Sequence, residues 1–319
     1  SPAAPQQRGG GAKARLEAEW ETAGGINLPK ILRCWGSDGL VHRQLVKGMD
    51  DLRQDAVMQQ VFELVNVLLS RDEQTRRRAL KLRTYSVVPL APTAGLLQWV
   101  DGTTPLSHYL IGPNGAHERY RPMDLKNAQA RKIMEAAHKA VHGGTQKEPH
   151  KVAEFRRIMA VLKPVLHFFF VERWHQPARW FERRLSYSRS LAASSMAGYV
   201  LGLGDRHSSN ILIDTRSAEL VHIDLGIALD QGSLLKTPEC VPFRLTRDLE
   251  DALGVSGVDG TLRGAAEQAM RVLRANAGAL LSVVQIFAHH PLYKWSLERK
   301  RIDALRADAP TPAPRSDIR

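Results

Sequence analysis

The sequence predicts an α+β protein in which a small sheet-bearing lobe precedes a larger helical one, and three observations carry that expectation. Short apolar runs bounded by Gly, Pro and Asp crowd the first hundred residues. Past Asp101-Gly102 helical periodicity takes over. Within that helical half, residues 202–226 revert to two brief apolar strands separated by polar turns. A length of 319 residues suits one large domain or two lobes. With 43% hydrophobic and 24% charged residues, wholesale disorder is excluded.

The elements follow in order. Residues 1–14 are Pro, Gly, Gln and Ala with little to bury, and read as a loose tail. The first lobe is expected over 15–100. Ile31-Leu-Arg-Cys-Trp35 and Leu40-Val-His-Arg-Gln-Leu-Val46 read as strands joined by the turn Gly36-Ser-Asp-Gly39. Asp50-Asp51 then precede a helix with Leu52, Val57, Val61, Leu64, Val65 and Leu68 at helical spacing, the acids lying at its positive end. Tyr85-Ser-Val-Val-Pro-Leu90 and Leu96-Leu-Gln-Trp-Val100 read as further strands. The second lobe is expected over 101–303, with helices near 124–141, 152–171, 177–201 and 260–288. Gly143-Gly-Thr-Gln-Lys-Glu-Pro149 separates the first two of these. Residues 304–319 are a second Pro-rich tail, and no internal repeat is visible.

Several function classes are excluded. No apolar run approaches the roughly 20 residues of a membrane-spanning helix. The start carries neither an initiator Met nor the apolar core of a signal peptide, so a soluble piece of a longer chain is expected. Two cysteines, Cys34 and Cys240, make no staple framework and no four-Cys zinc site, which favours a reducing compartment. His207 and His222 lack both Cys partners and an H-E-x-x-H pattern, and Ser194-Ser195 lacks a G-x-S-x-G context. The formal charge of +12 raises a nucleic-acid or membrane surface. Its clusters, Arg76-Arg77-Arg78 and Arg299-Lys300-Arg301, have no interleaved aromatics for base stacking. Neither direct nucleic-acid binding nor a membrane partner is therefore expected.

The chemistry concentrates in Gly202-Leu-Gly-Asp-Arg-His-Ser-Ser-Asn210 and Val221-His-Ile-Asp-Leu-Gly226. Ile211–Ile213 and Leu220–Ile223 can pair as a hairpin, bringing Asn210 and Asp224 together at its open end. An amide oxygen and a carboxylate converging there suit a hard cation such as Mg²⁺. Asp205 stands five positions before Asn210, the spacing of the catalytic Asp and metal-binding Asn in phosphoryl transfer by protein kinases. Lys47 ends an apolar strand and can reach nucleotide phosphates, with Asp50, Asp51 or Asp55 to orient it. Ala23-Gly24-Gly25 can close over phosphates, although it matches no established glycine-rich phosphate motif.

Leu45–Gln60, Gly202–Asn210 and His222–Gly226 together resemble the phosphatidylinositol-3-kinase-related protein kinases. Gly115-Ala-His-Glu-Arg-Tyr-Arg-Pro122, Ser217–Gly226 and Thr237–Asp248 are most similar to the ATM (ataxia-telangiectasia mutated) branch of that family. The resemblance spans about residues 14–297. It implies a two-lobed protein-kinase-like fold with an antiparallel N-lobe sheet and one long helix, and an ATP-dependent serine/threonine kinase acting before Gln. It implies phosphate binding by Lys47, ordered by Asp50 and Asp55, under Gly24 and Gly25. Leu45 and Tyr85 would line the nucleotide pocket, Trp99 and Val100 the hinge, and Leu212 and Ile223 the floor. Asp205 and His207 would serve the attacking hydroxyl and γ-phosphate, with either as base. Asn210 and Asp224 would hold Mg²⁺, or Mn²⁺ in its place. Residues from 224 to about 246 would be the activation loop. By the same resemblance the setting is nuclear DNA-damage signalling. Ser/Thr-Gln proteins would be substrates, DNA-break sensors partners, and homodimers would form through regions outside this stretch.

Two further readings remain. A phosphoinositide kinase would want basic side chains in the activation loop, where Lys236 alone stands between Asp224 and Pro242. A non-catalytic binding module is the other, although every expected catalytic position carries the expected residue type.

Overall fold

A computed structural model describes residues 13–24, 28–229, 231–235 and 239–289. The expected tails lie outside the described residues, except that the first strand already opens at Lys13. Gly25 and Lys236 also lie outside them, as does everything from residue 290 onward.

Strands β1 (Lys13–Thr22), β2 (Lys30–Gly36) and β3 (Val41–Gly48) form an antiparallel meander. The β2–β3 turn is closed by the Gly36 N–H to Leu40 O at 2.8 Å, and Asp38 Oδ1 accepts the Leu40 N–H. Helices α1 (Arg53–Arg71) and α2 (Glu73–Arg77) follow, then β4 (Val87–Ala91) and β5 (Ala94–Gln98). β5 inserts beside β3, giving the order β1-β2-β3-β5-β4. Pro89, which has no N–H to donate, is thereby confined to the edge strand. Tyr85 falls just short of β4, and its N–H goes to Gln59 Oε1 of α1 at 3.1 Å rather than to a strand.

The second lobe opens with β6 (Thr103–Pro105) and helices α3 (Leu106–Ile111), α4 (Ala116–Tyr120), α5 (Asn127–His142), α6 (Glu148–Val161), α7 (Phe168–Arg173) and α8 (Pro177–Val200). Strands β7 (Ile211–Asp214) and β8 (Leu220–His222) pair antiparallel, with Ile211 opposite His222, and β6 completes a three-stranded sheet. Helices α9 (Arg247–Asp251), α10 (Arg263–Ala275) and α11 (Ala277–His289) complete the described chain.

Two expected helices are each broken in two. Pro164 cannot donate to a helix and disfavours helical backbone at Lys163, so α6 stops at Val161 and α7 begins at Phe168. The freed N–H groups of Val165 and His167 go to Asp248 and Asp251 of α9, at 2.8 and 3.0 Å. The second break falls at Asn276, where the backbone leaves helical geometry between α10 and α11.

The lobes do not have separate cores. Val57, Met58, Val61, Phe62 and Leu69 on α1 belong to the same buried cluster as Leu191 and Ala192 of α8, Ile211 and Ile213 of β7, and Val272 of α10. At about 1.5–3 kcal/mol for each large apolar side chain buried, that shared face makes α1 the beam joining the lobes. A second, smaller cluster lies between the sheet of one lobe and the hairpin of the other, and it is there that the candidate residues meet.

Candidate active site

The smaller cluster comprises Leu52, Tyr85, Leu97, Leu212 and Val221, flanked by Leu45, Val87, Val100 and Ile223. It unites Leu45, Tyr85, Val100, Leu212 and Ile223, all expected around a nucleotide base. Leu45 lies opposite Leu97 in the β3–β5 pairing, forming the roof, while β7 and β8 supply the floor. Trp99 lies in the connection between β5 and β6 that joins the lobes, where the Arg43 guanidinium covers its ring at 5.3 Å and its backbone N–H donates to Arg43 O at 3.1 Å. Gly24 lies in open space in the β1–β2 connection, which the Ala23 N–H to Pro29 O bond closes at 2.7 Å.

Lys47 shares the inward face of β3 with Leu45, two residues away. Its ammonium stands 3.5 Å from Asp224 Oδ1 and 3.6 Å from Asp50 Oδ2, bridging the lobes. Burial alone would lower the Lys47 ammonium, but the charges of Asp224, Asp55 and Asp50 outweigh it and hold it above the ordinary lysine range. Of the three acids that follow the strand, Asp50 makes the ion pair. Asp51 instead accepts from the Arg53 N–H and guanidinium, at 3.1 and 2.6 Å. Asp55 is buried and accepts the Leu225 N–H at 2.9 Å, tying α1 to the segment after Asp224. Burial pushes the Asp55 carboxyl up to about 6, against the opposing pull of the Leu225 N–H and Lys47.

At the open end of the hairpin, the Ile223 N–H donates to Asn210 O at 3.1 Å, so positions 210 and 224 stand side by side. The Asn210 amide nitrogen donates to Asp205 O at 2.9 Å, which leaves its oxygen as the end able to meet a cation. Asp205 Oδ2 lies 4.0 Å from His207 Nε2, and His207 Nδ1 accepts the Ser209 N–H at 3.2 Å. The structure thus brings together Lys47, Asp50, Asp55, Asp205, His207, Asn210 and Asp224.

Sequence reasoning passed over Arg206. Its buried guanidinium donates to Gly204 O and Ile223 O, both at 2.7 Å, and to Asp224 O. Asp205 and Asp224 flank it with positive φ of 55° and 57°. A left-handed residue bearing a Cβ costs on the order of 1–3 kcal/mol and persists only where its surroundings enforce it. Arg206, gripping the carbonyls beside both, provides that enforcement. An Arg in a polar turn is ordinarily solvated, so nothing in the spacing distinguished it. Two buried polar atoms nearby, the Tyr85 hydroxyl and Gln59 Nε2, have no hydrogen-bond partner among the described residues. Burial, then the Asp55 charge, drives the Tyr85 hydroxyl far above its ordinary value, so it stays a neutral donor. Burial, followed by the Arg206 charge, pushes the His222 imidazole down to about 3, keeping it uncharged behind the site.

Two lobes joined by one hinge, a lysine-bearing strand above, and a hairpin presenting Asn and Asp below define a kinase-like catalytic core. The profile of the phosphatidylinositol 3- and 4-kinase family matches residues 43–297. The chain is 51% identical over 284 residues to the serine-protein kinase ATM of Sus scrofa, covering 88% of this chain and 9% of that protein. It is 52% identical over 277 residues to the serine/threonine-protein kinase ATM of Arabidopsis thaliana, covering 86% and 7%. Among solved structures, the FAT and kinase domain of CtTel1 superposes with a TM-score of 0.81 at 43% identity, covering 89% of this chain and 20% of that one. The chain belongs to the phosphatidylinositol 3- and 4-kinase family, in its ATM/Tel1 protein-kinase branch. It spans less than a tenth of the length of these two curated relatives.

Proposed function

We propose that this chain is the catalytic core of an ATM-type serine/threonine protein kinase that moves the γ-phosphate of ATP onto Ser or Thr followed by Gln. The observation that carries this reading is the Lys47–Asp224 pair, one cation and one carboxylate from opposite lobes 3.5 Å apart above the Asn210 amide. The donor set fits a divalent cation: two hard oxygen ligands, with Asp224 half-exposed and carrying, among the described residues, one long ion pair. Asn210 and Asp224 would hold Mg²⁺ or Mn²⁺, which when bound supplies positive charge opposite the phosphate oxygens.

The chain's own residues do the rest. Lys47, kept charged by its three acids, holds a phosphate oxygen. Leu45, Val100, Leu212 and Ile223 take the base, with Tyr85 packed beside them. Because His207 Nδ1 accepts from the Ser209 N–H, the neutral imidazole carries its proton on Nε2 and acts as a donor toward the migrating phosphoryl group. The proton of the attacking hydroxyl therefore passes to the Asp205 carboxylate.

The nuclear setting, DNA-damage signalling, Ser/Thr-Gln protein substrates and DNA-break sensor partners follow from the ATM/Tel1 relationship. A Tel1 relative has been solved as a complete dimer with C2 symmetry, which supports dimerisation of the whole protein. The decisive experiment phosphorylates a Ser-Gln peptide, a Ser-Ala peptide and phosphoinositide vesicles with the full-length protein, wild type beside Asp224→Ala and Asp205→Ala. The Ser-Gln peptide should be labelled alone, and each substitution should cut the rate by roughly 10³-fold or more. Labelling of vesicles instead of peptide, or an Asp224→Ala protein of normal rate, would overturn the assignment.

A further inference from the structure

The segment following Asp224 supplies a group on which the catalytic loop depends. Asp205 is held at φ 55°, and its N–H faces a part-buried turn where it must find an acceptor. That acceptor is the Glu239 carboxylate, whose Oε2 lies 2.9 Å away across 34 residues of chain. Two glycines make room for it. A Cβ on Gly204 would lie 2.9 Å from Oε2, and one on Gly232 would lie 2.6 Å from it. Glu239 is itself moored, its N–H donating to Gly232 O at 3.1 Å, while the Gly204 N–H donates to Ile227 O at 2.9 Å. The carboxylate thus spans from the activation segment to the residue that receives the substrate proton.

We propose that Glu239 is a positioning residue for phosphoryl transfer: by accepting the Asp205 N–H it holds the strained catalytic loop in register, so that only a correctly seated activation segment yields an aligned Asp205. This rests on the kinase reading above. The geometry requires an acceptor oxygen at this point and not a net charge, so Glu239→Gln retains the function that Glu239→Ala removes. Gly232→Ala tests the same contact from the other side, because its new methyl displaces Oε2 while the carboxylate remains in the chain.

The test measures Ser-Gln peptide phosphorylation and amide hydrogen exchange at Asp205 in the full-length wild type and the three variants. Glu239→Ala and Gly232→Ala should each lower kcat about tenfold or more with KM for ATP near the wild-type value. Exchange at the Asp205 amide should quicken to a similar degree in both. Glu239→Gln should retain most of the wild-type rate and protection. Equal losses in Glu239→Ala and Glu239→Gln would overturn the proposal, as would unchanged exchange in Glu239→Ala. A wild type that transfers no phosphate would instead sink the kinase reading, with the exchange comparison still deciding whether Glu239 holds Asp205.

Discussion

The β7–β8 hairpin ends in two acid–base clusters made of the same residue types, and they are built to opposite standards. At the turn, Asp214 is almost wholly buried and holds three donors: it accepts from the N–H groups of Arg216 and Ser217 at 2.7 and 2.8 Å and pairs with Arg83 at 3.0 Å. Burial by itself would raise the Asp214 carboxyl, but those donors prevail and hold it below the ordinary range. Glu219 joins the cluster from Arg83 and Lys81, at 3.3 and 3.0 Å. At the open end, Asp224 is 49% exposed, and its ion pair with Lys47 is long, at 3.5 Å. A buried carboxylate already holding three donors is structural, whereas an exposed one beside a captive cation can still receive a ligand. The difference between the ends is the difference between a joint and a site.

Exchanging the roles of the two ends tests this contrast. The largest stability change should come from Asp214→Ala, which strands buried donors and should cost about 3 kcal/mol in urea denaturation. Asp224→Ala should shift the same midpoint by no more than about 1 kcal/mol while silencing transfer. An Asp224→Ala protein destabilised as deeply as Asp214→Ala would erase the distinction.

A mid-sized effect belongs to Asp55. Its folded-state value of about 6 lies above its unfolded value near 3.8. Between these, the native state keeps a proton that the unfolded chain has released. Stability therefore falls as pH rises from about 4 to 6, by on the order of 2–3 kcal/mol. Asp55→Asn, whose amide oxygen still accepts the Leu225 N–H, should flatten that slope in denaturation series across this window. A slope that persists in Asp55→Asn would place its origin elsewhere. The smallest effect is Lys81→Ala: the Lys81 side chain is 56% exposed, so losing its Glu219 contact should cost less than about 0.5 kcal/mol.

Legibility followed locality. The hairpin could be read because two apolar runs flank a turn, and its pairing alone brings Asn210 beside Asp224. Lys47 could be read from its place at the end of a strand, and α1 from its apolar spacing. What escaped depends on contacts between distant segments. Spacing could not separate Asp50, Asp51 and Asp55, because the difference lies in Arg53, Leu225 and Lys47. Arg206 and Glu239 act through backbone groups far along the chain, and such partners leave no periodic trace. The helix break at Pro164 had a local cause, yet the apolar run across it masked the interruption.

The stitching of the hinge has a mechanical consequence. Gly102 O accepts both the N–H and the hydroxyl of Thr215, and Thr103, Thr104 and Pro105 pair with β7, so the linker fuses to the lower lobe from residue 102 onward. Arg83 fastens the upper lobe to the same end of the hairpin. Both attachments lie at the turn, and Asp224 lies a strand length away, about 10 Å by strand rise. The open end is fastened too, because Asp55 on α1 accepts the Leu225 N–H at 2.9 Å beside Asp224. Lys47 and Asp224 thus face each other across a gap braced on both sides, and its 3.5 Å width is set by the frame around it rather than by their own attraction.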